Sequence, residues 1–353
     1  SYPSGCFTNT SGDVDYVGTA YTFGLADETS ELWVWGQNED GLGINMGGPT
    51  GYRSSPTQIP GNTWLGVSGQ FKSNYGIRSD GTLWAWGSNE AGALGLNDVV
   101  HYSSPVQIPG TTWKQVTGVT GWGGGGAAVK TDGTLWTWGG NNQGTLGQNT
   151  AGSEGDNDKN VSSPVQVPGT TWDVVSGRGN IATLIARKTD GTLWAWGVNN
   201  KGALGISAVT SRSSPCQIPG TTWSNIGGNG NGGGAIKTDG TLWMWGENTF
   251  GTLGQNNRTH RSSPVQVPGT TWSSFAGSSN PSAINSAGTN FALAIKTDGT
   301  LWGWGKNDTG QLGNNTSVTN YSSPVQVPGT TWATVASAAT YTLGTKTDGT
   351  LWS

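Results

Sequence analysis

Lys237-Thr238-Asp239-Gly240-Thr241-Leu242-Trp243-Met244-Trp245-Gly246 is the stretch whose reading decides the fold. Two extended runs flank Asp239-Gly240, a pair that readily takes the two positive φ angles of a type I′ turn, so the segment predicts a β-hairpin. Along its second strand Thr241, Trp243 and Trp245 point to one face, and Leu242 and Met244 to the other. Both faces are apolar, so neither is expected to meet water.

The same Leu-Trp signal recurs at Trp33, Trp84, Trp136, Trp194, Trp243, Trp302 and Trp352, in steps of 51, 52, 58, 49, 59 and 50 residues. A period of this size marks a chain assembled from repeated supersecondary units. The copy that begins at Ser213 runs Ser213-Ser214-Pro215-Cys216-Gln217-Ile218-Pro219, turns at Gly220, continues through Thr221-Thr222-Trp223 and then enters the hairpin. Each unit therefore reads as four strands: A (Thr-Trp), B (Ala-Ile-Lys), C (Leu-Trp-x-Trp) and D (Ser-Ser-Pro-x-Gln), with the prolines of D suited to a sheet edge. The Met244 position holds Val34, Ala85, Thr137, Ala195 and Gly303 in other copies. Large indoles on one face and mostly small residues on the other interlock between neighbouring sheets, as in a β-propeller. A solenoid is the competing arrangement, but it leaves two apolar ends that need caps.

The expected fold is thus all-β, a single seven-bladed β-propeller of four-stranded blades spanning 1–353. Blade 1 takes about 13–60, blade 2 61–109, blade 3 110–168, blade 4 169–219, blade 5 220–268, blade 6 269–328, and blade 7 329–353 plus 1–9. The last copy stops after its strand C, and Tyr2-Pro3-Ser4-Gly5-Cys6-Phe7 resembles a degenerate strand D. An N-terminal strand is therefore expected to complete the last blade and close the ring. Trp84, Trp86, Trp136, Trp138, Trp194, Trp196, Trp243, Trp245, Trp302 and Trp304 are read as framework.

After strand C runs Trp86-Gly87-Ser88-Asn89-Glu90-Ala91-Gly92-Ala93-Leu94-Gly95, repeated from Trp138, Trp196, Trp245 and Trp304, one residue shorter from Trp35, and missing from the seventh copy. This pattern resembles the regulator of chromosome condensation repeat family over nearly the whole chain. The resemblance implies a seven-bladed propeller. Its members include a nucleotide-exchange factor for a small GTPase, an inhibitor of β-lactamases, and many secreted or viral proteins. The near-verbatim Thr-Asp-Gly-Thr-Leu-Trp copies resemble prokaryotic or viral arrays more than the eukaryotic exchange factor, and nothing like that factor's basic tail is visible.

Composition narrows the function classes. Charged residues make up 11% of the chain and the formal net charge is −4, with no basic stripe, so nucleic acid is not expected as a partner. Twenty regularly spaced Trp argue against disorder despite 61 Gly. No apolar run approaches the ~20 residues of a membrane span, so membrane insertion is not expected, and no positively charged start with an apolar core resembles a signal peptide, so a mature or trimmed form is expected. Cys6 and Cys216 fall in strands D on opposite sides of the ring and are not expected to pair.

Catalytic chemistry is not evident. His101 and His260 lack a second ligand at metal spacing. Asp80, Asp132, Asp190, Asp239, Asp298 and Asp348 are turn residues repeated in six equivalent copies, which cannot all be catalytic acids. Glu154, Asp156 and Asp158 form the best calcium candidate, a weak one without the ordered spacing of a calcium loop. No nucleophile elbow or phosphate-binding Gly-Lys-Ser/Thr loop occurs. Neither enzymatic activity nor a cofactor is expected.

Length variation shows where binding belongs. From the first Ser of Ser-Ser-Pro to the next strand A Trp is 10 residues in all six cases, and from turn Asp to strand C Trp always 4. The A–B interval drifts through 16, 19, 18, 16, 26 and 16, and the C–D interval through 19, 17, 24, 17, 17 and 18. The D–A and B–C turns should therefore form a uniform face, and the A–B and C–D loops a variable one that carries specificity. Trp122, the only Trp outside the repeat, and the insertions Thr150 to Asn160 and Ser278 to Asn290 lie in those variable loops. The expected contact residues are Trp122, Glu154, Asp156, Asp158, Asn280, Asn285 and Asn290. The expected role is a non-enzymatic protein-interaction or structural module, extracellular or on a virion surface and within a larger assembly. The alternatives are a carbohydrate-binding propeller, with glycan held by Trp122 and loop polar groups, and a regulator of a small GTPase.

Overall fold

The computed structural model describes residues 14–17, 20–23, 30–36, 42–44, 53–70, 72–119, 124–152, 158–177, 182–229, 231–276, 290–317, 319–337 and 342–353. Each unit folds as a sequential antiparallel meander. Blade 1 is β1 (Val14–Val17), β2 (Ala20–Phe23), β3 (Trp33–Gly36) and β4 (Arg53–Gln58); blade 2 is β5 (Trp64–Gln70), β6 (Ser73–Arg78), β7 (Leu83–Gly87) and β8 (Tyr102–Ile108). Blade 3 is β9 (Trp113–Val119), β10 (Gly125–Lys130), β11 (Leu135–Gly139) and β12 (Val161–Val167); blade 4 is β13 (Trp172–Ser176), β14 (Thr183–Lys188), β15 (Leu193–Gly197) and β16 (Arg212–Ile218). Blade 5 is β17 (Trp223–Asn229), β18 (Gly232–Lys237), β19 (Leu242–Gly246) and β20 (Arg261–Gln266); blade 6 is β21 (Trp272–Phe275), β22 (Phe291–Lys296), β23 (Leu301–Gly305) and β24 (Tyr321–Gln326). A final sheet holds only β25 (Trp332–Ser337), β26 (Thr342–Lys346) and β27 (Leu351–Trp352).

The expected count of seven four-stranded blades is corrected to six. A Leu-Trp signal counts strand C, and the last copy has that strand without a fourth strand beside it among the described residues. The consequence is physical. Leu351 is 41% exposed and Trp352 51%, whereas the matching Leu83, Leu135, Leu193, Leu242 and Leu301 are buried. In the complete blades the end of strand D lies over that leucine, as in the pairings Leu135↔Val167 and Leu193↔Ile218. Residues 1–9, expected to supply the strand, lie outside the described residues.

The hydrophobic core sits between blades rather than at a common centre. Ile236, Leu242 and Met244 of blade 5 pack with Trp272, Phe275 and Trp304 of blade 6, and equivalent clusters fill the other junctions. The A strands β1, β5, β9, β13 and β17 touch in succession, which makes strand A the inner strand. The second strand C Trp crosses to the preceding blade: Trp138 Nε1 donates to the Ala93 carbonyl (2.9 Å), Trp196 to Thr145 (2.9 Å), Trp245 to Ala203 (3.0 Å) and Trp304 to Thr252 (2.7 Å). Gly205, two residues after Ala203, has φ +69°, and a Cβ there would lie 2.8 Å from Trp245 Nε1. The glycine of the Gly-x-Leu-Gly signature therefore makes room for the next blade's indole.

The end of each blade carrying the tight turns is clamped by backbone. Trp113 N–H donates to the Gly81 carbonyl (3.0 Å) and Thr131 N–H to the Thr112 carbonyl (2.9 Å), and the pattern repeats through Trp332 to Gly299 and Thr347 to Thr331. The accepting threonines, Thr63, Thr112, Thr171, Thr222, Thr271 and Thr331, adopt φ between 65° and 81°. That region is costly for a β-branched residue, so the clamps hold the turns in a strained form.

Substituting Gly205→Ala should lower the unfolding free energy by about 1–3 kcal/mol through left-handed strain, plus the cost of moving Trp245. Gly66→Ala, whose Cβ would meet nothing within 4 Å, should change it little. Urea midpoints compare the two directly, and equal midpoints would remove the interlock from the account.

Candidate functional site: the two ends of the blades

At the turn end, the Asp-Gly-Thr-Leu-Trp signature is a relay. Asp132 Oδ1 accepts the Thr134 N–H (2.9 Å) and hydroxyl (2.7 Å), and Thr134 Oγ1 accepts the Trp136 indole N–H (2.9 Å). The same relay joins Asp80, Thr82 and Trp84; Asp190, Thr192 and Trp194; Asp239, Thr241 and Trp243; Asp298, Thr300 and Trp302; and Asp348, Thr350 and Trp352. The threonine hydrogen bonds hold all six carboxyls below the usual aspartate range.

Two residues before each Asp stands a cation whose charge lies over two indoles. Lys130 Nζ is 4.6 Å from the Trp113 ring and 4.8 Å from Trp136; Lys188, Lys237, Lys296 and Lys346 repeat the pattern, with Arg78 between Trp64 and Trp84. The first strand C Trp is consequently half-buried in the complete blades, as at Trp84, Trp136, Trp194, Trp243 and Trp302, while Trp86, Trp138, Trp196, Trp245 and Trp304 are buried.

At the loop end, a buried asparagine organises the C–D loops of blades 2 to 6. Asn199 Oδ1 accepts the Leu204 N–H (2.8 Å) and its Nδ2 donates to the Ala208 (2.9 Å) and Thr210 (3.0 Å) carbonyls; Asn89, Asn141, Asn248 and Asn307 do equivalent work. The two histidines belong to this scaffold. His101 Nδ1 accepts the Asn89 N–H (3.1 Å) and His260 Nδ1 that of Asn248 (2.9 Å), a place filled elsewhere by Asn160, Ser211 and Asn320. Among the described residues, no three His, Cys, Asp or Glu side chains gather as a metal site.

Of the contact residues expected from sequence, Trp122, Glu154, Asp156, Asn280 and Asn285 lie outside the described residues. Asp158 is exposed in a blade 3 loop. Asn290 immediately precedes β22 in blade 6, where its carbonyl accepts the Lys306 N–H (2.8 Å) and the Thr252 hydroxyl (3.2 Å). These two do not share a blade.

Two loop features had no sequence signal of their own. Val99, Val100 and Val209 stand in solvent at 63%, 55% and 64% exposure. Lys201 pairs with Glu247 across the blade 4–5 junction, and Glu247 also accepts from Asn231 and from Thr249 (2.7 Å). Burial pushes the Glu247 carboxyl up, but the hydrogen bonds from Lys201, Thr249 and Asn231 outweigh it and bring the carboxyl down to about 2.

A carboxyl whose folded value is depressed stabilises the fold fully above its unfolded value and loses that contribution as pH falls through the folded one. The urea midpoint of the native chain should therefore exceed that of Glu247→Gln at neutral pH, and the gap should close between about pH 4.5 and 2. A gap that stays constant over that range would show that the Glu247 cluster carries no charge-dependent stability.

The sequence profile described as the Regulator of chromosome condensation (RCC1) repeat matches residues 80–121, 132–179, 190–226, 239–295 and 298–344. Two curated relatives, both named "Probable E3 ubiquitin-protein ligase HERC4", align over 216 residues at 25% identity in Mus musculus and 24% in Rattus norvegicus. The alignment covers 60% of this chain but only 20% of either relative, so the chain spans about a fifth of their length. Among solved structures, human WBSCR16 superposes with a TM-score of 0.74 at 19% identity over 96% of this chain and 87% of that one. Prp20p from Saccharomyces cerevisiae gives 0.74 at 17% over 94% and 81%. These structural likenesses concern the fold. With the repeat profile matching well over half its length, the chain belongs to the regulator of chromosome condensation (RCC1) repeat family.

Proposed function

We propose that this chain is a non-catalytic protein-binding propeller that engages its partner through the loop end, along the rim of blades 2 to 4. The observation that carries the reading is the placement of exposed aliphatic side chains. Val99 and Val209 each stand ten residues after the buried asparagine of their loop, Asn89 and Asn199, and the same position in blade 3 holds exposed Ala151. Their loops are pinned from within by that asparagine, so the apolar side chains are presented on a rigid support. Exposed aliphatic side chains at the same loop position of three successive blades, each on a rigid support, favour a contact surface along that rim. The low charge and the Ser-, Thr-, Asn- and Gly-rich composition favour an extracellular or virion-surface setting, with the near-verbatim repeats of a prokaryotic or viral array.

A second reading, regulation of a small GTPase, draws on family membership and on the likeness to Prp20p, a protein with binding properties to Gsp1p and histones. Nucleotide-release assays on a panel of small GTPases test it.

For the principal reading, immobilised native chain and a Val99→Asp, Val100→Asp, Val209→Asp variant are compared for retention of proteins from the source extract. The variant should retain the partner roughly tenfold less, which corresponds to about 1.4 kcal/mol, with its urea midpoint unchanged. Equal retention would remove the rim of blades 2 to 4 as the contact surface.

A further inference from the structure

We propose that the loop-end rim continues past Val209 onto blade 5 as a cationic docking surface, formed by Arg212, Arg258 and Arg261, for an acidic segment of a protein partner. The proposal rests on the loop-end reading above and adds the chemistry that is recognised there. Arg212 heads β16 and Arg261 heads β20, and each lies opposite the glycine that ends strand C of its own blade, Gly197 or Gly246. The two arginines therefore hold one register position in successive blades. That position is Arg53 in blade 1, Tyr102 in blade 2, Val161 in blade 3 and Tyr321 in blade 6. Among the described residues, blades 4 and 5 are the one neighbouring pair that both carry arginine there.

The blade 4 loop is fastened to β20. Ser207 N–H donates to the Ser262 carbonyl (2.7 Å), and the Ser207 and Ser263 hydroxyls are 2.9 Å apart. Exposed Val209 thus stands two residues from that seam and three before Arg212, while Arg261 directly precedes Ser262. Arg258 and His260 lie in the blade 5 loop that leads into β20, and Arg212, Arg258, His260 and Arg261 are all exposed. Asn199 and Asn248 pin the two loops from within, so the basic groups are presented on a fixed support. His260 Nδ1 accepts the Asn248 N–H (2.9 Å), so a neutral ring carries its proton on Nε2 as a further donor.

These arginines are uncompensated. None of the three takes part in an ion pair among the described residues, and Arg212 Nη1 donates to the neutral Thr210 hydroxyl (3.0 Å). The acids of blades 4 and 5 are engaged elsewhere: Glu247 with Lys201, Asp173 with Lys114 and Arg187, and Asp190 and Asp239 with their turn threonines. In a chain of formal net charge −4, three unpaired arginines on one rim are a local excess of positive charge. Guanidinium forks match carboxylates in bidentate pairs, and arginine is a frequent anchor of protein interfaces. An aliphatic side chain among them fits a polypeptide with an apolar residue beside its carboxylates. A nucleic acid or sulfated glycan would meet three cations and no extended basic track. Around Val99 the register position holds Tyr102 and Val161, so the acidic part of the partner lies toward blade 5 and its apolar part toward blade 2.

The test is selection from a random-peptide display library on the immobilised full chain, with heparin and single-stranded DNA offered alongside. Peptides held by the native chain should be enriched in Asp and Glu beside an aliphatic residue, and their binding should weaken as salt rises. An Arg212→Gln, Arg258→Gln, Arg261→Gln variant should bind the best of them roughly tenfold more weakly, with its urea midpoint unchanged. Replacing the same three arginines by Glu should turn the selection toward Lys and Arg, a gain that damage to the fold cannot produce. Selected peptides without acidic enrichment, equal binding by the Gln variant, or capture of heparin or DNA in preference to every peptide would each overturn the proposal. The extract experiment separates it from the loop-end reading. A partner lost by the valine variant but kept by the Gln variant removes the acidic chemistry and leaves the valine rim standing. A partner lost by the Gln variant but kept by the valine variant does the reverse.

Discussion

The four junctions from blades 2–3 to blades 5–6 depend on one contact: the indole of the second strand C tryptophan reaching into the preceding blade and donating to a carbonyl there. Trp245 illustrates it, fully buried and bonded to the Ala203 carbonyl, with Gly205 vacating the space its ring occupies. The contact ties hydrophobic burial and a satisfied donor to the same atom group, so each sheet loses both if its neighbour shifts. It also explains why the sequence varies so little. The residue that makes the contact and the glycine that receives it sit in different copies, and every internal copy must supply both.

The division of labour between the ends of the blades follows. Backbone bonds between successive turns, with threonines held at positive φ, leave no room for altered length at that end. Insertions are admitted where only a single buried asparagine and the Gly-x-Leu-Gly turn must be kept, which is the loop end. Differences between copies therefore collect at the loop end.

Much of this was legible in the chain. The Asp239-Gly240 hairpin, the meander order and the edge position of Ser-Ser-Pro follow from turn chemistry and proline's missing N–H, but the turn is not the expected type I′. It runs over Lys237 to Gly240, with Gly240 N–H donating to the Lys237 carbonyl and positive φ at Gly240 and not at Asp239. The blade count was overestimated because Leu-Trp reports strand C, and Leu351-Trp352 has no strand D neighbour among the described residues. Alternation placed Trp243 and Trp245 on one face correctly, yet it could not show that one lies under a lysine and the other under the preceding blade. That difference is set by packing between sheets distant in sequence. The exposure of Val99 and Val209 was hidden for the same reason, since isolated valines in a loop look alike whether buried or not. Trp122, Glu154, Asp156, Asn280 and Asn285 were chosen for breaking the pattern and lie outside the described residues.

The central claim is that the loop end meets a protein and the turn end does not. Photo-crosslinking tests it most directly, with a benzophenone amino acid placed either at Val209 on the loop rim or at exposed Thr221 on the turn end, irradiated in the native source material. The account predicts a discrete, saturable protein adduct from position 209 and none from position 221. An adduct from 221 alone, or equal adducts from both, would contradict it.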